Sequence, residues 1–89
     1  MAVRRRVVAY GRVQGVFFRD SCDRMARSAG VSGWVRNRND GAVEAAFEGD
    51  PDAVERMVGW MRQGPRRAYV DRVEVIEEEP AGESGFRVR

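Results

Sequence analysis

The segment Gly11-Arg12-Val13-Gln14-Gly15-Val16-Phe17-Phe18-Arg19 gathers residue types suited to holding an anion. It joins an alternating apolar run to a stretch of helical periodicity, so the turn between them carries backbone N–H groups with no strand or helix partner. The dipole of the following helix adds partial positive charge, and an oxyanion such as phosphate is the natural guest. Gly15 permits a backbone conformation that a side chain would forbid. Arg19, where the helix begins, adds a fork of donors matched to phosphate oxygens. On spacing alone the same segment also reads as an ordinary strand–helix turn with a solvated arginine, because a G-x-x-x-G pattern is weak and no Walker sequence is present. Phe17 and Phe18 divide between core and pocket wall.

What the chain lacks narrows the chemistry. It has no histidine and no lysine, and all sixteen basic residues are arginine. A Ser-His-Asp triad, a histidine zinc site, a phosphohistidine, a P-loop lysine and a Schiff base are therefore excluded. Cys22 is the only cysteine, so no intrachain disulfide forms, and its place on a helix stripe makes it a small core residue rather than a redox switch. A net charge of +2 is too small to argue for a polyanion partner. Met1 to Tyr10 lacks the apolar core of a signal peptide, and no run is long enough to span a membrane. The cytoplasm is the default address, and no heptad or large apolar patch argues against a monomer.

The elements that position this segment follow from periodicity. Eighty-nine residues make one domain, 1–89, around a single core. Val7, Ala9, Gly11 and Val13 share one face of a first strand over Arg5 to Val13, and Val8 and Tyr10 the other. A first helix is expected from about Asp20 to Gly30, its buried stripe Cys22, Met25, Ala26 and Ala29. Ser32 to Asn37 and Ala42 to Glu48 read as strands joined by the turn residues Asn39-Asp40-Gly41. In the second of these strands Glu44 and Glu48 fall on the outward face. Asp50 caps a second helix, Pro51 opens it, Val54, Met57, Val58 and Met61 form its stripe, and Gly64-Pro65 ends it. A long strand from about Tyr69 to Glu77 and a short closing strand at Phe86 and Val88 complete the chain. Trp34 and Trp60 read as packing residues, and Arg36, Arg38, Arg66 and Arg67 as a solvated rim. The order β-α-β-β-α-β predicts the α+β, ferredoxin-like sandwich, an antiparallel sheet with two helices on one face. In that plan the first two strands are parallel with the third between them, so the Gln14–Arg19 loop and Asn37 meet at one edge, roughly 10 Å apart.

The run Gly11 to Arg19 resembles the acylphosphatase signature G-x-V-Q-G-V-x-F-R. The stretch Gly33-Trp34-Val35-Arg36-Asn37 followed by Asn39-Asp40-Gly41-Ala42-Val43 resembles that family's second signature, G-W-V-x-N, a short turn and G-x-V. The similarity extends through Gly49, Val70, Val73 and Val75 to Phe86-x-Val88, covering nearly the whole chain. The resemblance implies a hydrolase of acyl phosphates that needs neither metal nor cofactor and acts on a small-molecule substrate. It implies that Gln14, Gly15, Val16, Phe17, Phe18 and Arg19 bind the phosphoryl group, the amides from Gly15 to Arg19 forming the cradle. Arg19 would be the substrate-binding arginine and Asn37 the catalytic asparagine that holds the attacking water. Asp20 fits less well, since it brings negative charge near the anion unless it points to solvent.

Two other readings compete. Small ferredoxin-like domains include RNA-binding modules, but the third strand lacks the basic-aromatic pattern that stacks bases, so no nucleic-acid partner is expected. A non-catalytic anion-binding module is the other alternative. Acylphosphatase-like domains also front a larger hydrogenase-maturation enzyme, whereas the end at Arg89 favours the stand-alone enzyme.

Overall fold

A computed structural model describes all residues from Met1 to Arg89. Seven elements follow one another: β1 (Val3–Arg12), α1 (Phe18–Ala29), β2 (Ser32–Asn37), β3 (Val43–Gly49), α2 (Pro51–Gln63), β4 (Tyr69–Glu78) and β5 (Phe86–Val88). The sheet order is β4-β1-β3-β2-β5. β1 pairs antiparallel with β3 and β4, and β2 antiparallel with β3. β1 and β2 therefore run parallel with β3 between them, the ferredoxin-like plan. The short β5 pairs parallel with β2, so the five-stranded sheet is mixed rather than wholly antiparallel.

Alternation sorts the strands into two faces. Val7, Ala9, Val35, Val43, Ala45 and Phe47 join Phe18, Cys22 and Ala26 of α1 and Val54, Met57, Val58 and Met61 of α2 in one core. Phe86 brings β5 into that core by stacking on Phe47, with ring centroids 5.8 Å apart. The α1 stripe is narrower than expected. Met25 is 44% exposed, whereas Phe18, where α1 starts two residues before Asp20, is buried. The helix ends as expected, with Gly30 at φ 74° and the Val31 amide on the Ala26 carbonyl at 3.1 Å.

The opposite face carries charge, and it is not solvated. Glu44 and Glu48 lie on this outward face, as the sequence predicts, yet they are only 4% and 6% exposed. Arg4 pairs with Glu48 and Glu78 at 2.9 Å each, and Arg6 with Glu44 and Glu78 at 2.7 Å each. Arg36, expected on a solvated rim, also binds Glu44. Val8 and Ala46 of the same face are buried as well. Trp34, also on this face, has the Arg89 guanidinium 4.5 Å from its ring centroid.

Glu48 has a second task. Its carboxylate accepts the amides of Ala81, Gly82 and Glu83 at 2.8, 2.8 and 3.2 Å. That tethers the crossing from β4, at one edge of the sheet, to β5 at the other.

These carboxyls make the fold acid-sensitive. Burial alone would raise Glu44 and Glu48, but hydrogen bonds from arginines, and for Glu48 from backbone amides, outweigh it and hold both below the ordinary 4.5. Hydrogen bonds from Arg6 and Arg4 lower Glu78 likewise. A carboxyl depressed in the folded state stabilises fully above its unfolded pKa and loses that contribution as pH falls through the folded value. Thermal unfolding should therefore give a level Tm from pH 7 to about 5 and a falling one below about pH 4.5. A Tm unchanged down to pH 3 would refute the role of the glutamates.

Candidate active site

The two helices begin in opposite ways. At α2 the Asp50 side chain accepts the amides of Asp52 and Ala53 at 3.1 and 3.4 Å. At α1 the residue before the helix is Phe17, and no side chain caps it. None of the amides from Gly15 to Asp20 donates to a protein oxygen; the first paired one is Ser21, on the Phe17 carbonyl at 3.0 Å. The backbone that carries them is bent. Gly15 has φ 75°, and Phe17 is the one non-glycine residue with positive φ, at φ 63° and ψ 27°. Left-handed residues alternating with their neighbours turn successive N–H groups to one side, the concavity that takes an anion. Left-handed geometry costs a non-glycine residue about 1–2 kcal/mol, and a phenylalanine pays it here at the mouth of a cleft.

Local packing holds this turn. Phe18 is 2% exposed and meets Trp60 of α2 edge-on, centroids 5.2 Å apart, while Phe17 is 66% exposed. The pair thus divides between core and pocket wall. Upstream, the β1–β4 register shifts between Tyr10 and Gly11. A Cβ on Gly11 would lie 2.3 Å from the Tyr69 carbonyl oxygen, so only glycine lets the two strands close there and redirects β1 into the turn.

Beside the turn lies a cleft of about 370 Å³ lined by Val13, Gly15, Phe17, Phe18, Arg19, Asp20, Asn37 and Val88. Arg19 and Asn37, which sequence spacing placed at one edge, thus face a single space. Gln14 and Val16 do not line it. The Gln14 amide is engaged with the carbonyls of Arg38 and Ala42, and Val16 packs partly buried against the core. Asp20 borders the cleft but remains largely exposed, its closest cation Arg24 at 3.9 Å. Val88 is a wall residue that sequence reasoning treated only as a closing strand. Its place depends on β5 lying beside β2, which no local pattern encodes.

No group of three or more histidine, cysteine, aspartate or glutamate side chains is arranged to hold a metal ion. Cys22 is buried in the core with its thiol pushed well above the ordinary value by burial and, less, by Asp23. No helix is long and apolar enough to cross a membrane.

The fold and the cleft define an α+β sandwich with an uncapped strand–helix turn whose amides are unpaired. The family model described as Acylphosphatase matches residues 5–88. A curated acylphosphatase of Thermococcus kodakarensis is 59% identical over 86 residues, 97% of this chain and 94% of that protein. Among solved structures, an acylphosphatase from Coxiella burnetii superposes with a TM-score of 0.94 at 36% identity, covering 99% of this chain and 93% of that one. One from Bacillus subtilis gives 0.93 at 33%, covering 100% and 99%. The chain belongs to the acylphosphatase family, hydrolases of acyl phosphates.

The state of Cys22 can be checked directly, since a buried thiol held in its protonated form is a poor nucleophile. Native protein at pH 8 should resist a thiol reagent for hours and react fully once denatured. Rapid labelling of the native fold would place Cys22 in play at the site.

Proposed function

We propose that this protein hydrolyses acyl phosphates by in-line attack of a water held by Asn37 on a phosphoryl group bound by the Gly15–Asp20 amides and Arg19. The observation that carries the reading is the set of unpaired amides at the start of α1, in a turn whose residues Gly15, Phe17 and Phe18 line the same cleft as Arg19 and Asn37. A bound phosphoryl group brings its own oxygens as acceptors for those donors. The guanidinium adds charge-assisted bonds of about twice the neutral strength.

The chemistry asks little more. The leaving group is a carboxylate with a pKa near ~4, so it departs without a general acid. What remains is to place a water in line and to stabilise charge on the transferring phosphoryl oxygens. As the water oxygen bonds to phosphorus, the bond from phosphorus to the acyl oxygen breaks and its electron pair leaves with the carboxylate. The amide oxygen of Asn37 accepts from the water and orients it, but an amide is a poor base. A phosphoryl oxygen of the substrate takes the proton.

A nucleic-acid role has less support. Bases would have to stack on the open sheet face, where Arg4, Arg6 and Arg36 are already paired with glutamates.

Phosphate release from an activated acyl phosphate, assayed with chelator present, tests the division of roles. Asn37→Ala should lower kcat by ~10²–10³ and leave inhibition by inorganic phosphate nearly intact. Arg19→Ala should weaken phosphate binding as well. Equal, small losses in both variants would count against the assignment. The cradle has its own test in Phe17. Phe17→Gly keeps the amide and the positive φ and should bind phosphate normally, whereas Phe17→Pro removes both and should not. Phosphate binding retained by the proline variant would rule out the amides.

A further inference from the structure

We infer that Gln14 is a positioning residue, whose side-chain amide sets Asn37 at the separation from the phosphoryl turn that in-line attack requires. The inference rests on the roles proposed above for the turn and for Asn37.

The sheet alone does not fix that separation. β1 and β2 are not neighbours, and both ladders to the intervening β3 stop at the same residue, Ala9 with Val43 on one side and Asn37 with Val43 on the other. Beyond Val43, the end of β1 and the turn from Arg38 to Ala42 project side by side with no strand between them. Gln14 makes the hydrogen bonds that join them. Its Nε2 donates to the Arg38 carbonyl at 2.8 Å and to the Ala42 carbonyl at 3.0 Å. Two carbonyl acceptors admit only the NH₂ end of the amide, so its orientation is decided, and both of its donors are used.

The turn it grips is closed on itself. The Arg38 amide donates to the Ala42 carbonyl at 2.8 Å, the Gly41 amide to the Arg38 carbonyl at 3.2 Å, and Asp40 accepts the Ala42 amide at 3.1 Å. Each carbonyl has two lone pairs, so Gln14 uses the second one on both. The bridge thus runs from the residue before Gly15 to the residue after Asn37, the two halves of the site.

Magnitudes argue that the bridge acts on alignment more than on stability. Two neutral hydrogen bonds contribute about 1 kcal/mol each, and ordering a glutamine side chain costs up to ~1.5–2 kcal/mol. The net effect on folding is small. A reacting geometry is far less tolerant, since a displacement of about 1 Å can cost 10²-fold in rate.

Gln14→Met keeps the shape of the side chain and removes its donors. It should lower kcat by ~10–10²-fold while the inhibition constant of inorganic phosphate stays within about three-fold and Tm changes little. Combined with Asn37→Ala, it should add almost no further loss, because a misplaced Asn37 and a missing one remove the same contribution. In Gln14→Glu an ionised carboxylate faces two carbonyl oxygens, whereas the protonated acid donates to one of them. Burial beside those carbonyls raises its pKa, so activity relative to the parent should recover as pH falls toward ~5. Parallel loss of phosphate affinity and kcat, multiplicative loss in the double variant, or a Gln14→Met enzyme within about two-fold of the parent while Asn37→Ala collapses would each overturn the role of Gln14. Full activity in Asn37→Ala is a different failure. It would remove the reading of Asn37 itself, and the inference with it.

Discussion

A helix whose first amides have no acceptor in its own protein is the constraint on which this structure turns. Folding ordinarily removes such a deficit with a capping side chain, and α2 does so through Asp50. At α1 the deficit is retained: Gly15 and Phe17 adopt positive φ, and the turn they shape borders a cleft. Other features follow from supporting that arrangement. Phe18 anchors the helix start beneath Trp60, and Gly11 lets β1 close on β4 and swing into the turn. A loop that leaves donors open needs neighbours that do not move.

The far end of the sheet contributes to the site at a distance. Glu48 is buried among Arg4 and three backbone amides of the 81–83 segment. That segment carries the chain from one edge of the sheet to the other, where β5 pairs with β2 and brings Val88 to the wall of the cleft. A charged network on one face thus sets part of the pocket on the opposite end. Buried ion pairs are a costly device for this, since each charge must recover its lost hydration. Here the cost is offset because each carboxylate has several donors: Glu44 and Glu78 each have two arginines, and Glu48 an arginine and three amides. The same donors keep these carboxyls ionised into acid.

Much of this was legible along the chain. The order of elements, the capped start of α2, the turn at Asp40-Gly41 and the buried stripe of α2 follow from local periodicity and local chemistry. So does the meeting of Arg19 with Asn37, which the strand order of the split β-α-β plan requires. What was not legible shares one cause. Glu44 and Glu48 alternate like solvent-facing residues, and nothing within β3 reveals that arginines from β1 and β2 and a carboxylate of β4 will cover that face. Gln14 lies in the segment that reads as an anion-binding turn, so it too reads as a ligand of the anion. Its partners are 24 and 28 residues away, in a turn that only the folded sheet brings beside it.

Sequence by itself determined the class of chemistry, a chain with neither histidine nor lysine and with one amide-rich, arginine-tipped turn, and the element order that carries it. Those properties reside in residue type and short-range spacing. Tertiary structure alone decided which of the turn's polar groups stay open and which are consumed. It also decided that a C-terminal valine walls the cleft and that the open sheet face is sealed by ion pairs. The reason is physical: whether a donor is free depends on every acceptor that packing brings within 3 Å or so, and those acceptors come from remote parts of the chain.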